Sequence, residues 1–529
     1  YSDSPIDLKL YGDMAYSLGV NRMILHSYVH QPTDRRPGVT LGIYGQTFNR
    51  NNLWFNYSDG FFATEARIQY MLQAGDRRSD ALVYMGDNLP NTELKEGELN
   101  RLLPPNTKYQ YINQEVLLDR ISVRDGKLYL DGEHPFKYLM LRGDKMDIET
   151  IRRIEQLVDG GALVYGQKPS STLSLKDYET QTAELRQIAD RLWGSGKVIT
   201  DLKALKKSFV PDLSLRGVDI DDVLYIHKTL GELDYYYIVN KENSRTVNFE
   251  ATFDLKNGRP EIWDPMTGDV REQMIYLNSG GLTTVPMTLG PRQGVFVVFR
   301  QGGDRQSHVR KLTSIDGEIL FPSETGDFSR ALPEAYRGVD GEIHLRSLEA
   351  GSYVLGYSDV LSSRVDIEAP AKLVLDGTVG TMTFEDEPML GTVNIGGFRN
   401  LTGALDPMVK HYSGVITYRT QAVLPEGFIK PGRRVLISIP AFGSTARLTV
   451  NGHTLETIWD PYLKADITDY VRSGSNELVI VVTNPWRNRL VGDKAGVPSS
   501  QKLWTTSPLQ QKHIPPQQII HEYTLLYPS

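Results

Sequence analysis

The sequence contains no cysteine. Disulfides, thiolate zinc sites and cysteine nucleophiles are excluded together. The compartment stays open, because a cysteine-free chain suits the cytoplasm and the periplasm equally. No apolar run is long enough to span a bilayer. No basic tract stands out either: 58 Lys and Arg against 65 Asp and Glu leave a net charge of −7, spread along the chain. Nucleic acid is therefore a poor partner. No strand-like run is followed by G-x-G-x-x-G or a Walker pattern, which argues against a nucleotide site. No internal repeat or low-complexity segment appears. What is present is ordinary for a globular protein, with 40% hydrophobic and 23% charged residues. A chain of 529 residues divides into several domains, since single cores stop growing well below that length. It opens on Tyr1 rather than methionine, and is expected to be part of something larger.

The patterning predicts a multidomain α/β plus all-β chain. Residues 1–75 read helix, strand, loop, helix. The run Leu8–Tyr16 is amphipathic and closed by Gly19, a strand is expected over 20–27, and a second helix over 58–74. Two such units with a long loop after the strand fit the end of a (β/α) barrel, whose active sites sit at the strand C-termini. Residues 76–212 alternate short apolar runs (81–84, 138–141, 162–166) with helices (147–159, 175–195), as a Rossmann-like or flavodoxin-like α/β domain does. From 213 the pattern is all-β. A β-sandwich is expected over 213–302, a small β domain over 303–385 and a jelly roll over 386–529. In the last of these Asn451-Gly452 marks a hairpin.

The richest stretch is Asn21–Pro32, an apolar run opening into His26 and His30 and stopped by Gln31-Pro32. Tyr44-Gly45-Gln46, Phe48-Asn49-Arg50 and Trp54-Phe55 follow. Neutral hydrogen-bonding groups interleaved with flat rings suit a site that holds a sugar. On a strand, His26 and His30 point the same way, and each imidazole both donates and accepts. The competing readings are a metal pair and a packed rim residue. Trp54 or Tyr44 suits the apolar face of a deoxy sugar. Glycoside hydrolysis needs two carboxyl groups flanking the bond. Asp3, Asp13, Asp34 and Asp59 are the nearest in sequence, and none carries a motif. Asp13 reads as a solvated or packing residue in a helix, and Asp34 as an ion pair with its neighbours Arg35 and Arg36. Trp459, Tyr462 and Trp486 form either a sugar platform or sandwich core, with core favoured.

Three N-terminal runs resemble the α-L-rhamnosidases of glycoside hydrolase family 106: Gly19–Pro32, Pro37–Gly42 and Phe48–Trp54. Tyr70–Gly75 and Asp80–Tyr84 do so more weakly. Asn451-Gly452, Trp459–Tyr462 and Asn484–Asp493 resemble that family's terminal jelly roll, and also the sandwiches of β-galactosidase-like enzymes. The resemblance implies inverting hydrolysis of terminal α-L-rhamnosides in plant or bacterial glycans, by a glutamic acid pair with a calcium ion nearby. It places those glutamates, and most calcium ligands, ahead of the stretch that begins here. No catalytic or metal-ligating residue is therefore expected within 1–529. The expected substrate-side or supporting residues are His26, His30, Gln31, Asn49, Arg50 and Trp54. The expected partners are a rhamnose-containing oligosaccharide or polysaccharide and the upstream barrel portion of the same protein. The expected location is periplasmic or secreted. The alternatives are a non-catalytic carbohydrate-binding or scaffold fragment, and a glycosidase of β-galactosidase-like or fucosidase specificity.

Overall fold

The computed structural model describes residues 3–41, 46–88, 96–99, 101–132, 134–208, 210–300, 307–338, 340–359, 361–375, 378–440, 442–501 and 503–506. Tyr44 and Gly45 fall outside them. The architecture is mostly β-sheet with few helices.

Two helices dominate the N-terminal region, α1 (Pro5–Ser17) and α2 (Asp59–Gln73). The backbone N–H and Oγ of Ser4 both donate to Asp7 Oδ2, and Pro5 opens the first turn. Those are standard helix-start devices. The helix buries a charged pair beside Ile6 and Tyr16. Lys9, Asp13 and Tyr16 are fully buried, whereas Tyr11, Met14 and Leu18 on the opposite face are exposed. The spacings i, i+4, i+7 and i, i+3, i+7 put each trio on one face. Asp13 is thus not solvated: it accepts from Lys9 Nζ and from Tyr237 Oη.

The strand expected over 20–27 does not form. That segment runs without a ladder, and the period-two argument for His26 and His30 falls with it. Its partner is local: Ser27 N–H donates to the Gln46 carbonyl and Gln46 N–H to that of His26, both at 2.8 Å. A run of apolar residues reads as strand only when a neighbouring edge takes up its backbone groups, and none of the described sheets does so. The strand–helix units expected over 1–75 are consequently absent among the described residues. Pro37-Gly38 forms a two-residue strand, paired in parallel with Trp504-Thr505.

Residues 213–300 form two antiparallel sheets. Strands Leu213–Arg216, Val247–Phe253, Leu282–Leu289 and Leu277–Ser279 make one. Val270–Glu272, Arg259–Trp263, Gly294–Arg300, Leu233–Asn240, Val223–Leu230 and Asp76-Arg77 make the other. Strand 233–240 is buried on both faces. Tyr236 and Ile238 point into the core between the sheets, while Tyr235, Tyr237 and Val239 meet Tyr16 of α1 and Ile68 and Leu72 of α2. The C-terminal end of α2 is capped from the same sheet, because Tyr235 Oη donates to the Met71 carbonyl at 2.9 Å and Lys228 Nζ to that of Leu72. Carbonyls in the last turn have no partner within the helix.

Between α2 and this sandwich lie five parallel strands in the order Val198-Ile199, Val164-Tyr165, Tyr138–Met140, Ala81–Tyr84, Tyr109–Ile112. Helices Ile148–Asp159 and Tyr178–Gly194 pack on them. Residues 309–367 add a four-stranded sheet and the hairpin Glu334–Arg337/Ile343–Arg346. The C-terminal region is built on a six-stranded antiparallel sheet with strands Gly414–Leu424 and Gly474–Asn484 at its centre. Asn451 and Gly452 both take positive φ, 48° and 84°, as a tight hairpin turn of that sequence requires.

Candidate functional site

The segment 26–52 folds as a loop around buried amides. Gln31 is 4% exposed. Its Nε2 donates to the Val39 carbonyl at 2.7 Å, and its Oε1 accepts from Val39 N–H at 2.9 Å. Asn51 Nδ2 donates to the same Oε1 at 3.1 Å. Asn49, also buried, donates to the Val29 carbonyl at 3.1 Å and accepts from Asn51 N–H at 3.0 Å. Gly38 sits in the crook of this clasp at φ +89°, where a Cβ would lie 2.1 Å from Gln31 Oε1. Only glycine fits there.

Trp54 anchors the loop from below. It is 1% exposed, its Nε1 donates to the Asp3 carbonyl at 3.1 Å, and its ring packs edge-on against Phe48 and Phe61. The C-terminal region braces the same loop. Trp486 Nε1 donates to the Asn51 carbonyl at 2.6 Å, and Trp459 packs on Phe61 of α2 at 5.4 Å. Both indoles are buried, so they serve as packing anchors, and no platform forms with the half-exposed Tyr462.

The six expected residues divide into two sets. Gln31, Asn49 and Trp54 are buried braces. His26, His30 and Arg50 are exposed on the loop surface, with Ile24, Leu25 and Tyr28 exposed beside the imidazoles. Arg50 is positioned by the Gln31 carbonyl at 2.9 Å and by Asp34 at 3.3 Å. Asp34 therefore pairs with Arg50 rather than with its sequence neighbours. A cavity of about 10 Å³ lies under the loop between Gln46, Asn51 and Trp486, room for one water and no more. A sugar would have to meet the outer surface, where two imidazoles and a guanidinium offer hydrogen bonds.

Nearby carboxylates are engaged elsewhere. Asp59 accepts from Thr457 Oγ1 at 2.7 Å and from Arg447. Burial works against its charge, but the Thr457 hydrogen bonds and Arg447 hold it below the usual carboxylate range. Glu65 Oε2 accepts from Tyr16 Oη at 2.5 Å, and burial pushes its pKa up. Asp13 is raised by burial in spite of Lys9. Among the described residues no three imidazoles or carboxylates converge as a cation needs. Among the described residues no ligand set fits the calcium that the resemblance implies.

Sequence reasoning missed the buried Lys9–Asp13–Tyr237 set. The signal was available, since Lys9 and Asp13 stand four apart in a helix whose opposite face is apolar.

A family model for the glycoside hydrolase 106 α-L-rhamnosidases matches residues 1–277. The chain is similar in structure to a rhamnosidase from Novosphingobium sp. PP1Y, with a TM-score of 0.75 and 28% identity over 96% of this chain and 44% of that one. In sequence it is 35% identical over 315 residues to a putative β-glucuronidase of Formosa agariphila, covering 58% of this chain and 27% of that protein. It thus spans less than half the length of either. With just over half of its residues matched by that family model, the chain belongs to the glycoside hydrolase 106 α-L-rhamnosidase family.

Proposed function

We propose that this chain works in the inverting hydrolysis of terminal α-L-rhamnosides, with the loop 26–52 facing the sugar. In this reading a carboxylic acid protonates the leaving oxygen and a carboxylate activates water on the opposite face. Both come from a (β/α) barrel that packs against α1 and the segment 20–28. The five parallel strands and the C-terminal sheets are then its flavodoxin-like and jelly-roll accessory domains. A periplasmic or secreted location, where large glycans are met, belongs to the same proposal.

The observation that carries the reading is the outward apolar row: Tyr11 and Met14 of α1 and Leu18 just after it, then Ile24, Leu25 and Tyr28, all exposed. An exposed apolar row of this length needs a cover. A barrel seated there would bring its carboxylates toward His26 and His30. Imidazoles suit rhamnose hydroxyls, and an exposed Tyr28 suits its methyl group.

The test is turnover of an aryl α-L-rhamnoside by the full-length enzyme, with the first-formed anomer read by NMR. His26→Ala and His30→Ala are expected to lower kcat/KM. Wild-type kinetics in both variants, or preference for an L-fucoside or D-galactoside, would overturn the assignment.

A further inference from the structure

Apart from the residues of that loop, the edge strand Val270–Glu272 and the hairpin Glu334–Arg337/Ile343–Arg346 line an open cleft of about 400 Å³. That volume suits one or two sugar rings. Three guanidinium groups line it, those of Arg271, Arg337 and Arg346. Arg271 donates to Glu334 Oε1 at 3.0 Å, and Arg346 Nε donates to Glu334 Oε2 at 3.0 Å. One carboxylate is thus shared by two cations. Arg337 spends its terminal nitrogens on backbone, donating to the Gly341 carbonyl at 2.7 Å and the Ser307 carbonyl at 3.0 Å. Its Nε stands 3.6 Å from Glu272 Oε2, beyond hydrogen-bond reach, and neither atom has another hydrogen-bond partner. Three positive charges therefore face two negative ones. The guanidiniums are held in place by the protein itself, so ordering them costs a ligand little.

We propose that this cleft is a second glycan-binding site, selective for a sugar bearing an anionic group, either a carboxylate or a sulfate ester. Fixed guanidinium groups recognise both through paired, charge-assisted hydrogen bonds. That the anion arrives on a sugar rests on the glycan-processing reading above. The cleft contains none of the residues of loop 26–52, so binding here and rhamnoside turnover are separable.

The test is saturation-transfer NMR on the full chain with three probes: methyl glucuronide, methyl glucoside 6-sulfate and neutral methyl glucoside. Binding of one or both anionic probes and not of the neutral one is expected, and which of them binds identifies the anionic group. Arg271→Gln with Arg337→Gln should weaken binding by at least about tenfold. Glu272→Gln, which makes the cleft more positive, should tighten it, a gain that a merely structural role would not produce. Equal binding of the neutral probe, no binding by any probe, or a Glu272→Gln variant that binds no better would overturn the proposal. Wild-type rhamnoside turnover in His26→Ala and His30→Ala, with anion binding intact, would count against the loop assignment and leave this one standing.

Discussion

Tyr237 Oη donates to Asp13 Oδ1 across 2.7 Å, tying α1 to a strand 224 residues further along. Asp13 also holds Lys9, whose Nζ reaches the Arg292 carbonyl at 3.0 Å. All three side chains are essentially inaccessible to solvent. Asp13→Ala strands an ammonium in that site, with an expected cost of about 3–5 kcal/mol. Tyr237→Phe leaves the ion pair intact and should cost only about 1 kcal/mol. Urea unfolding of the two variants measures the contrast, and equal losses would refute the account.

The sequence was legible where a pattern stands on its own energetics. Helix α2, expected over 58–74, spans 59–73; the apolar run at 81–84 is a strand, and of the run 138–141 residues 138–140 are. In the all-β pattern expected from 213, the triple tyrosine at 235–237 lies in strand 233–240, where β-propensity and burial agree. The run 20–27 misled because its apolar side chains face outward, as does one face of α1. Periodicity reports that a face is apolar and does not report what covers it. At the loop, residue types pointed to sugar chemistry, but they could not separate contact from support. Gln31, Asn49 and Trp54 are as polar or aromatic as His26 and Arg50, and only the fold sorts them by burial.

His227 should make stability depend on pH. Its Nδ1 lies 3.0 Å from Asp212 and its Nε2 3.0 Å from Asp234, and its ring stacks on Tyr236 at 3.9 Å. Burial opposes the imidazolium, but the two carboxylates prevail and raise the pKa above the usual 6.5. A raised folded-state pKa means that the native state binds the extra proton. The stabilisation is full below the unfolded value and is lost as pH rises through the folded one. The wild type should therefore unfold at progressively lower temperature as pH climbs above about 6.5. His227→Gln should unfold earlier at pH 6 and lack that alkaline decline. A parallel slope in the variant would remove His227 as the cause.

Gly60 fixes the seat of α2 on the C-terminal sheet. A Cβ there would come within 2.4 Å of the Thr457 carbonyl and 3.1 Å of Trp459 Cδ1. The neighbouring Asp59 accepts from Thr457 and Arg447, so the helix start has no room to shift without breaking those bonds. Gly60→Ala should cost about 1–3 kcal/mol, as overpacking does. Asp59→Ala should cost less, because that contact is half exposed. Thermal denaturation of both variants ranks them, and the reverse order would refute the steric argument.

The loop itself yields the last contrast. Gly38→Ala drives a methyl group into the Gln31 clasp, and Trp54→Ala empties a buried site that packs Phe48 and Phe61. The Trp54 variant should lose about 3–5 kcal/mol of stability, and both should lose rhamnoside turnover through disorder of the loop. His26→Ala and Arg50→Ala remove exposed side chains, so stability should stay within about 0.5 kcal/mol of wild type. Their turnover should still fall about tenfold each, the worth of one good hydrogen bond to a sugar hydroxyl. Measuring unfolding and kcat/KM on the same four proteins separates support from contact. If the His26 and Arg50 variants kept full activity while the Gly38 and Trp54 variants lost it, the loop would be a brace for the sugar site and not its lining.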